Sequence, residues 1–147
     1  MTSCGRRGAG GGHIRFNMAK GSMNSHISQF PIGTYKKGHR HGPGFHVMCV
    51  VGEGFSLLWH DGEKDFIRID WKHGVVFPPA GQQFHQHFNT GQTPARYLAF
   101  KHEVVSIRNA QGVPKAWISR RVGGDQIDYA DESQAVRTRF AESLAKH

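Results

Sequence analysis

The sequence lacks most features that mark secreted, membrane-spanning or nucleotide-binding proteins. Two cysteines among 147 residues cannot form a disulfide framework. No run of 18 apolar residues occurs, so no transmembrane helix is predicted, and no signal-peptide-like apolar stretch follows the N-terminus. No P-loop or glycine-rich strand-to-helix motif supports a nucleotide cofactor. We therefore expect a cytoplasmic protein without a membrane partner.

Acidic residues are also scarce: 11 Asp and Glu residues stand against 19 Lys and Arg residues, which gives a formal net charge of +8. This balance would suit a nucleic-acid-binding protein. However, the basic residues are dispersed, and no nucleic-acid-binding signature accompanies them. A basic balance alone favours solubility and weak attraction of anions. We do not expect nucleic acid to be a partner.

What the sequence does contain is a series of short apolar runs separated by turn residues. Runs such as "HVMCVV", "FSLLW" and "DFIRIDW" are rich in β-branched and aromatic residues, with breaks such as "GEG" and "HDGEK" between them. This pattern is typical of an all-β sandwich or barrel, which we place at residues 26–124. The N-terminal stretch "MTSCGRRGAGGG" has little to bury, so residues 1–25 are predicted to form a flexible tail.

The last segment, residues 125–147, changes to a helical pattern. Asp131 and Gln134 have the spacing of an N-terminal capping pair. One apolar stripe then follows at intervals of four residues: Val136, Phe140 and Leu144. An isolated helix of about 14 residues is marginal in water. We therefore expect this short C-terminal α-helix to pack on the barrel or on a partner subunit.

Histidines are concentrated in two short stretches, "GHRHGPGFH" at 38–46 and "FHQHFN" at 84–89. In a strand, residues i and i+2 project from the same face, so each His-x-His pair can point to one side. If both stretches belong to one barrel, four imidazoles can converge on its interior. Imidazole is the commonest protein ligand for Fe, Zn, Cu and Ni. The two pairs therefore predict a metal site.

The stretch from Gly33 to Gly52 resembles the first motif of the cupin superfamily, G-x5-H-x-H-x(3,4)-E-x6-G. Five residues separate Gly33 from His39, and His41 completes the pair. Six residues then separate Phe45 from Gly52. The sequence differs from the motif at Phe45, which occupies the position of the motif's glutamate and cannot bind a metal.

The stretch from Gly74 to Asn89 is similar to the second cupin motif, G-x5-P-x-G-x2-H-x3-N. The part from His85 to Asn89 fits, whereas the glycine-to-proline and glycine-to-histidine gaps each differ by one residue. The resemblance covers about residues 28–105. It implies a double-stranded β-helix, or jelly-roll cupin barrel, of six to eight strands, in which His85 joins the first two histidines as a metal ligand.

The combination of "HRH", an apolar residue in place of the glutamate, and "FHQHFN" looks most like the gentisate-dioxygenase branch of the cupins. That branch cleaves aromatic rings with O2 at a three-histidine Fe(II) site. The resemblance implies a divalent metal on His39, His41 and His85, most simply Fe(II), with Mn, Ni or Zn as alternatives. Three ligands on one face leave room for a chelating substrate and O2. Ligating histidines must be deprotonated, so metal affinity should fall below about pH 6.5.

Further residues are candidates for contacts with the substrate. His87 shares a strand face with His85 and is our candidate catalytic residue. The alternatives are that His87 is a fourth metal ligand, that it contacts the substrate, or that it is hydrogen-bonded to Asn89 or to a carbonyl group. Gln83, Phe45 and Asn89 are predicted to bind substrate. His46 should face away from the metal, because of strand alternation, unless "GPG" forms a bulge.

Together these features predict a metal-dependent cupin, an Fe(II) dioxygenase-like oxidoreductase that acts on a small anionic or aromatic substrate. We expect the protein to form a homodimer and to bind this small molecule as its substrate. The alternatives are a metal-dependent lyase, decarboxylase or isomerase, and a non-enzymatic barrel that binds a small molecule.

Overall fold

The computed structural model describes residues 2–3, 8, 10–18, 23–42, 45–102 and 107–146. In this part of the chain lie nine strands and one α-helix: β1 Thr2–Ser3, β2 Gly12–Met18, β3 Met23–Phe30, β4 Phe45–Val51, β5 Gly54–Trp59, β6 Ile67–Trp71, β7 Val76–Phe77, β8 Phe84–Asn89, β9 Ala95–His102 and α1 Gln134–Leu144. Two 3₁₀ helices, Lys115–Trp117 and Arg120–Val122, precede α1. No helix in these ranges has the length and apolarity to cross a membrane.

The strands form two antiparallel sheets. The larger sheet has the order β1-β2-β3-β9-β4-β7, and the smaller has the order β6-β5-β8. The longest pairing joins β3 to β9, from Met23 opposite His102 to Phe30 opposite Ala95. Pairing of strands so distant in sequence closes the sheets around one interior. The predicted all-β architecture with a short C-terminal helix is confirmed.

The N-terminal region differs from our expectation of a flexible tail over residues 1–25. Strand β2 pairs with β3 along its whole length, from Gly12 opposite Gln29 to Met18 opposite Met23. Apolar Ile14 and Phe16 alternate with polar neighbours, which is the pattern of a strand with two different faces. The tail prediction is therefore wrong for residues 12–18 and 23–25. Residues 4–7, 9 and 19–22 lie outside the described part of the chain.

The smaller sheet is covered on both faces, and this explains why every residue of β8 is buried. On its outer face, Phe55 lies opposite Phe88 and Trp59 lies opposite Phe84. This aromatic face packs against the C-terminal helix through Val136. The inner face of β5 and β8 carries the side chains that reach the barrel interior: Ser56, Leu58, His85 and His87.

Helix α1 begins later than predicted, and its cap is Ser133 rather than Asp131. The Ser133 hydroxyl accepts a hydrogen bond from the Ala135 backbone N–H at 3.2 Å. Asp131 instead forms an ion pair with Arg121 at 2.6 Å, because the chain turns there before the helix starts. Val136 is only 2% exposed, and burial of a valine side chain contributes about 1.5–3 kcal/mol. The helix has 11 residues and is held by this packing.

The barrel interior is divided into an apolar end and a polar end. A hydrophobic cluster fills the apolar end: Phe30, Val47, Cys49, Leu58, Trp71, Phe77 and Ala95. Burial raises the pKa of the Cys49 thiol to about 11, so this cysteine is a packed, protonated side chain. The histidine stretches lie at the other end, next to a cavity.

Candidate metal centre

The chain segment 34–39 runs antiparallel to β8 and brings the two histidine stretches together. Tyr35 pairs with Phe88, and His39 pairs with His85. His39 and His85 exchange both backbone hydrogen bonds, at 3.2 and 2.9 Å. Directly paired residues of antiparallel segments project their side chains from the same face. This pairing therefore sets the two imidazoles side by side inside the barrel.

The three predicted ligands converge on one point. The Nε2 atoms of His39 and His85 are 3.0 Å apart, and the His41 ring centroid lies 4.9 Å from that of His85. One nitrogen from each of the three rings lies within 4.8 Å of the other two. His39 and His85 are 5% and 1% exposed, whereas His41 is half-buried.

Contacts with backbone carbonyl groups indicate the tautomer of each ring. The Nδ1 atoms of His39, His41 and His85 contact the carbonyl oxygens of Lys37, Gly42 and Gln83, at 3.1, 3.4 and 3.2 Å respectively. A carbonyl oxygen only accepts, so each Nδ1 carries the hydrogen. In a neutral ring the lone pair then lies on Nε2. Two such lone pairs at 3.0 Å repel each other unless a positive charge lies between them.

This donor set fits a divalent transition metal. Two imidazole nitrogens bound to one ion at about 2.1 Å, with about 90° between the bonds, lie about 3.0 Å apart. The separation of the His39 and His85 Nε2 atoms has this value. Carbonyl contacts at the opposite nitrogen are the usual means by which proteins orient metal-binding histidines. His39, His41 and His85 would therefore hold the metal.

Phe45 forms an apolar wall beside the three histidines. Its ring centroid lies 4.3 Å from that of His41 and 5.0 Å from that of His85. The side chain is 4% exposed and lines the adjacent cavity. It is thus placed where the sequence predicted, in the position of the motif's glutamate, and offers no ligand atom.

A cavity of about 100 Å³ adjoins the three histidines. Its lining includes five basic side chains: Arg15, Lys36, Arg40, Lys101 and Lys115. Asp125 is the one acidic residue that lines it within the described ranges, and it accepts a hydrogen bond from Arg40 Nε at 2.8 Å. The excess of positive charge favours an anionic ligand.

Comparison with known proteins identifies the fold. No protein-family model and no curated protein matches the chain. Among solved structures, Peruvianin-I, a cysteine peptidase from Thevetia peruviana latex, matches with a TM-score of 0.58 and 14% identity over 69% of this chain and 67% of its own. A cupin-like protein from Thermotoga maritima matches with a TM-score of 0.53 and 14% identity over 66% and 71%.

Oxalate decarboxylase from Bacillus subtilis also matches, with a TM-score of 0.57 and 13% identity over 66% of this chain and 26% of its own. The chain has the cupin fold. It spans about a quarter of the oxalate decarboxylase chain. The predicted jelly-roll barrel is confirmed, whereas identities this low carry no information about the branch of the cupins.

His87 lines the cupin cavity, but its partner differs from those we considered. Its Nδ1 lies 2.7 Å from Ser56 Oγ, and Ser56 Oγ accepts a hydrogen bond from Trp71 Nε1 at 2.9 Å. With the tryptophan as donor, the serine hydroxyl can donate to Nδ1, which leaves the proton of the neutral ring on Nε2. The centroids of His87 and His85 are 5.6 Å apart.

Two of the predicted substrate-binding residues form hydrogen bonds with nearby backbone groups. Asn89 is fully buried; its amide nitrogen donates to the carbonyls of Pro31 and Thr93 at 3.0 and 2.9 Å, and its oxygen accepts from the Gly91 N–H. Gln83 Oε1 accepts from the Ala80 N–H at 3.1 Å. Neither side chain lines the cavity. Both side chains already bond nearby backbone groups, and their contact with substrate stays a prediction.

Strand alternation predicted the position of His46. It is exposed on β4, between the buried Phe45 and Val47, and does not line the cavity. The "GPG" bulge that would redirect it falls partly on residues 43 and 44, outside the described part of the chain.

Several residues that line the cavity, on the larger sheet and on segment 34–39, were not predicted from the sequence. Arg15 lies opposite His26 in the β2–β3 pairing, and Ser28 lies opposite Tyr97 in the β3–β9 pairing. All four line the cavity. Period-two alternation in "HIRFNM" places Arg15 on the polar face of the strand, which is not the face that a sequence pattern assigns to the interior. Lys36 lies in no such pattern, because its segment forms only isolated bridges.

Proposed function

We propose that this protein is a metal-dependent cupin enzyme, dioxygenase-like and using Fe(II), that acts on a small anionic substrate. The observation that carries the proposal is the inward convergence of His39, His41 and His85, each with its Nδ1 held by a carbonyl group. Resemblance to the gentisate-dioxygenase branch adds support for a hydroxy-aromatic acid as the substrate.

Iron bound to three neutral ligands would supply binding positions for a chelating oxygen donor and for O2. The remaining chemistry belongs to the chain. Phe45 shields the rings of His41 and His85 from water on one side. Arg15 and Lys101 line the cavity and attract the anionic group of a substrate.

His87 has a separate role in this proposal. With Ser56 donating to Nδ1, the ring presents an N–H at Nε2 that can donate a hydrogen bond to a substrate oxygen. Buried, pre-oriented donors stabilise developing negative charge more than donors in water do.

A matched set of variants tests the proposal. The wild-type protein, His39→Ala and His46→Ala are loaded with Fe(II) without oxygen, and oxygen uptake is then measured with a panel of hydroxy-aromatic acids and diketones. We expect substrate-dependent uptake in the wild type and in His46→Ala, and at least a hundredfold slower uptake in His39→Ala. Zn(II)-loaded protein, which has no redox chemistry, should be inactive.

Other results would favour the alternatives. A second structure of the Bacillus subtilis oxalate decarboxylase is described with Mn(II) centres, and matches with a TM-score of 0.56 and 13% identity. Turnover without oxygen uptake by Mn-, Ni- or Zn-loaded protein would therefore favour a lyase, decarboxylase or isomerase. Tight binding without turnover would favour a binding barrel. The homodimer, the cytoplasmic location and the absence of a nucleic-acid partner stay predictions.

A further inference from the structure

Lys36 is a buried basic residue that contacts a hydroxyl group and two aromatic rings in the described part of the chain. Its side chain is 2% exposed and lines the cavity. Its amine nitrogen contacts the Ser28 hydroxyl and lies 5.1 and 5.5 Å from the ring centroids of Tyr97 and Phe30. In the described part of the chain, no carboxylate lies within salt-bridge distance of it. Burial of an unpaired charge costs free energy that a bound anion would offset.

Polar side chains on the neighbouring strands lie near Ser28, the hydroxyl partner of this amine. Ser28 lies between His13 and Tyr97 in one row across β2, β3 and β9. Arg15 is two residues further along β2 and lines the same cavity. An anion beside Lys36 would therefore also lie near hydrogen-bond donors on the neighbouring strand.

The strand pairing sets the distance between Lys36 and the metal centre. The Lys36 backbone N–H donates to the His87 carbonyl at 3.1 Å, while His39 pairs with His85. The two residues of β8 contacted in this way, His87 and His85, are two positions apart, which corresponds to about 7 Å along the strand. His87 spans the gap, with its ring centroid 4.9 Å from that of Tyr97 and 5.6 Å from that of His85.

We propose that Lys36 binds a second anionic group of the substrate, so that the substrate class is small hydroxy- or oxo-acids that carry two carboxylates. One carboxylate and the adjacent oxygen face the three histidines, and the other carboxylate pairs with Lys36. This inference depends on the proposed metal site only for the substrate carboxylate and oxygen that face the three histidines. The cavity of about 100 Å³ favours a small ligand.

Malate and lactate test the proposal, since both are 2-hydroxy acids and only malate has a second carboxylate. Their dissociation constants are measured by calorimetry on the Zn(II)-loaded wild type, Lys36→Met, Lys36→Arg and Lys72→Met. Lys72→Met removes the same formal charge from an exposed position on the surface. We expect the wild type and Lys72→Met to bind malate at least tenfold more tightly than lactate. Lys36→Met should lose this preference, and Lys36→Arg should retain part of it.

Thermal unfolding provides a second readout. If Lys36 is an anion site, Lys36→Met removes an uncompensated buried charge and should raise the Tm of the ligand-free protein. If Lys36 only supports Ser28, the Tm should fall and the preference for malate should persist, which would overturn the proposal. Equal affinities for malate and lactate in the wild type would also overturn it.

The experiment separates this proposal from the proposed function. Succinate binding to chelator-treated protein does not involve the metal, so its loss in Lys36→Met supports the anion site even if no metal binds. Conversely, a metal that binds to wild type and Lys36→Met alike, with no Lys36-dependent binding of malate or succinate, would overturn the inference and leave the metal site intact.

Discussion

His39 and His85 form a directly opposed pair that exchanges both backbone hydrogen bonds and places the two Nε2 atoms 3.0 Å apart. The separation is set by backbone pairing, and the ring orientations are set by the carbonyls of Lys37 and Gln83. The site is therefore preorganised, since each ring keeps its Nδ1 contact with a carbonyl group while its Nε2 faces the other ring. Such preorganisation is what a metal site requires of its supporting residues.

Asn89→Ala should destabilise the protein without affecting the metal site. The Asn89 side-chain amide makes three hydrogen bonds, and its loss leaves the carbonyls of Pro31 and Thr93 without this donor. We expect a loss of about 2–4 kcal/mol in the free energy of unfolding, measured by urea denaturation. Gln92→Ala, in the adjacent exposed loop, should change it by less than about 0.5 kcal/mol. Unchanged stability with reduced substrate affinity would instead support Asn89 as a substrate contact.

Ser56→Ala should also destabilise the barrel, because Ser56 satisfies two buried groups at once. Its hydroxyl joins Trp71 Nε1 to His87 Nδ1. Removal leaves a buried tryptophan N–H unsatisfied, at a cost of about 1–3 kcal/mol. Guanidinium denaturation measures the change, with the exposed helix substitution Thr138→Ala as the control. A stability equal to that of Thr138→Ala would show that the hydroxyl does not join these side chains.

The ion pair between Asp128 and Lys37 should make stability depend on pH. The hydrogen bond from Lys37 at 2.7 Å, and then that from the Ser119 hydroxyl at 2.5 Å, lower the pKa of Asp128. A lowered pKa in the folded state gives stability that is present above the unfolded pKa of about 3.9 and is lost as pH falls through the folded value.

Comparison of the wild type with Asp128→Asn measures this contribution. The difference in urea midpoint should be largest at pH 6–7 and should shrink towards zero as pH falls below about 4. Differences between the two proteins cancel the effect of histidine protonation, which they share. Asp65→Asn, at an exposed position, should differ little from wild type at any pH. A difference between wild type and Asp128→Asn that stays constant from pH 7 to pH 2.5 would contradict the ion-pair explanation.

Alternation along strands predicted the core of the fold and the two His-x-His pairs, whereas the choice of His39, His41 and His85 as ligands came from the resemblance to the cupin motifs. His85 and His87 share a face whatever the rest of the barrel does, and the pairing of His39 with His85 then brings the two stretches together. The N-cap of α1 was predicted wrongly, because Asp131 and Ser133 are both residue types that cap helices well. The structure selects Ser133, since Asp131 pairs with Arg121.

The rest of the site depends on contacts that a single sequence does not encode locally. Asn89 shares a face with His87, but the carbonyls of Pro31 and Thr93 reach it from other segments and use its amide. Lys36 points into the cavity because its segment is bound to β8 by isolated bridges rather than by regular alternation. Alternation along a strand predicts the face from which a side chain projects, whereas its contacts depend on the tertiary structure.

Metal content is the most direct test of the central claim, that His39, His41 and His85 together bind one divalent ion. Wild type, His41→Ala, His85→Ala and the surface variant His46→Ala are purified without chelators, equilibrated with Fe(II) or Zn(II), desalted and analysed for metal per chain. We predict about one ion per chain for the wild type and His46→Ala, and less than about a tenth of that for the two ligand variants. Equal metal content in His85→Ala and the wild type would contradict the account.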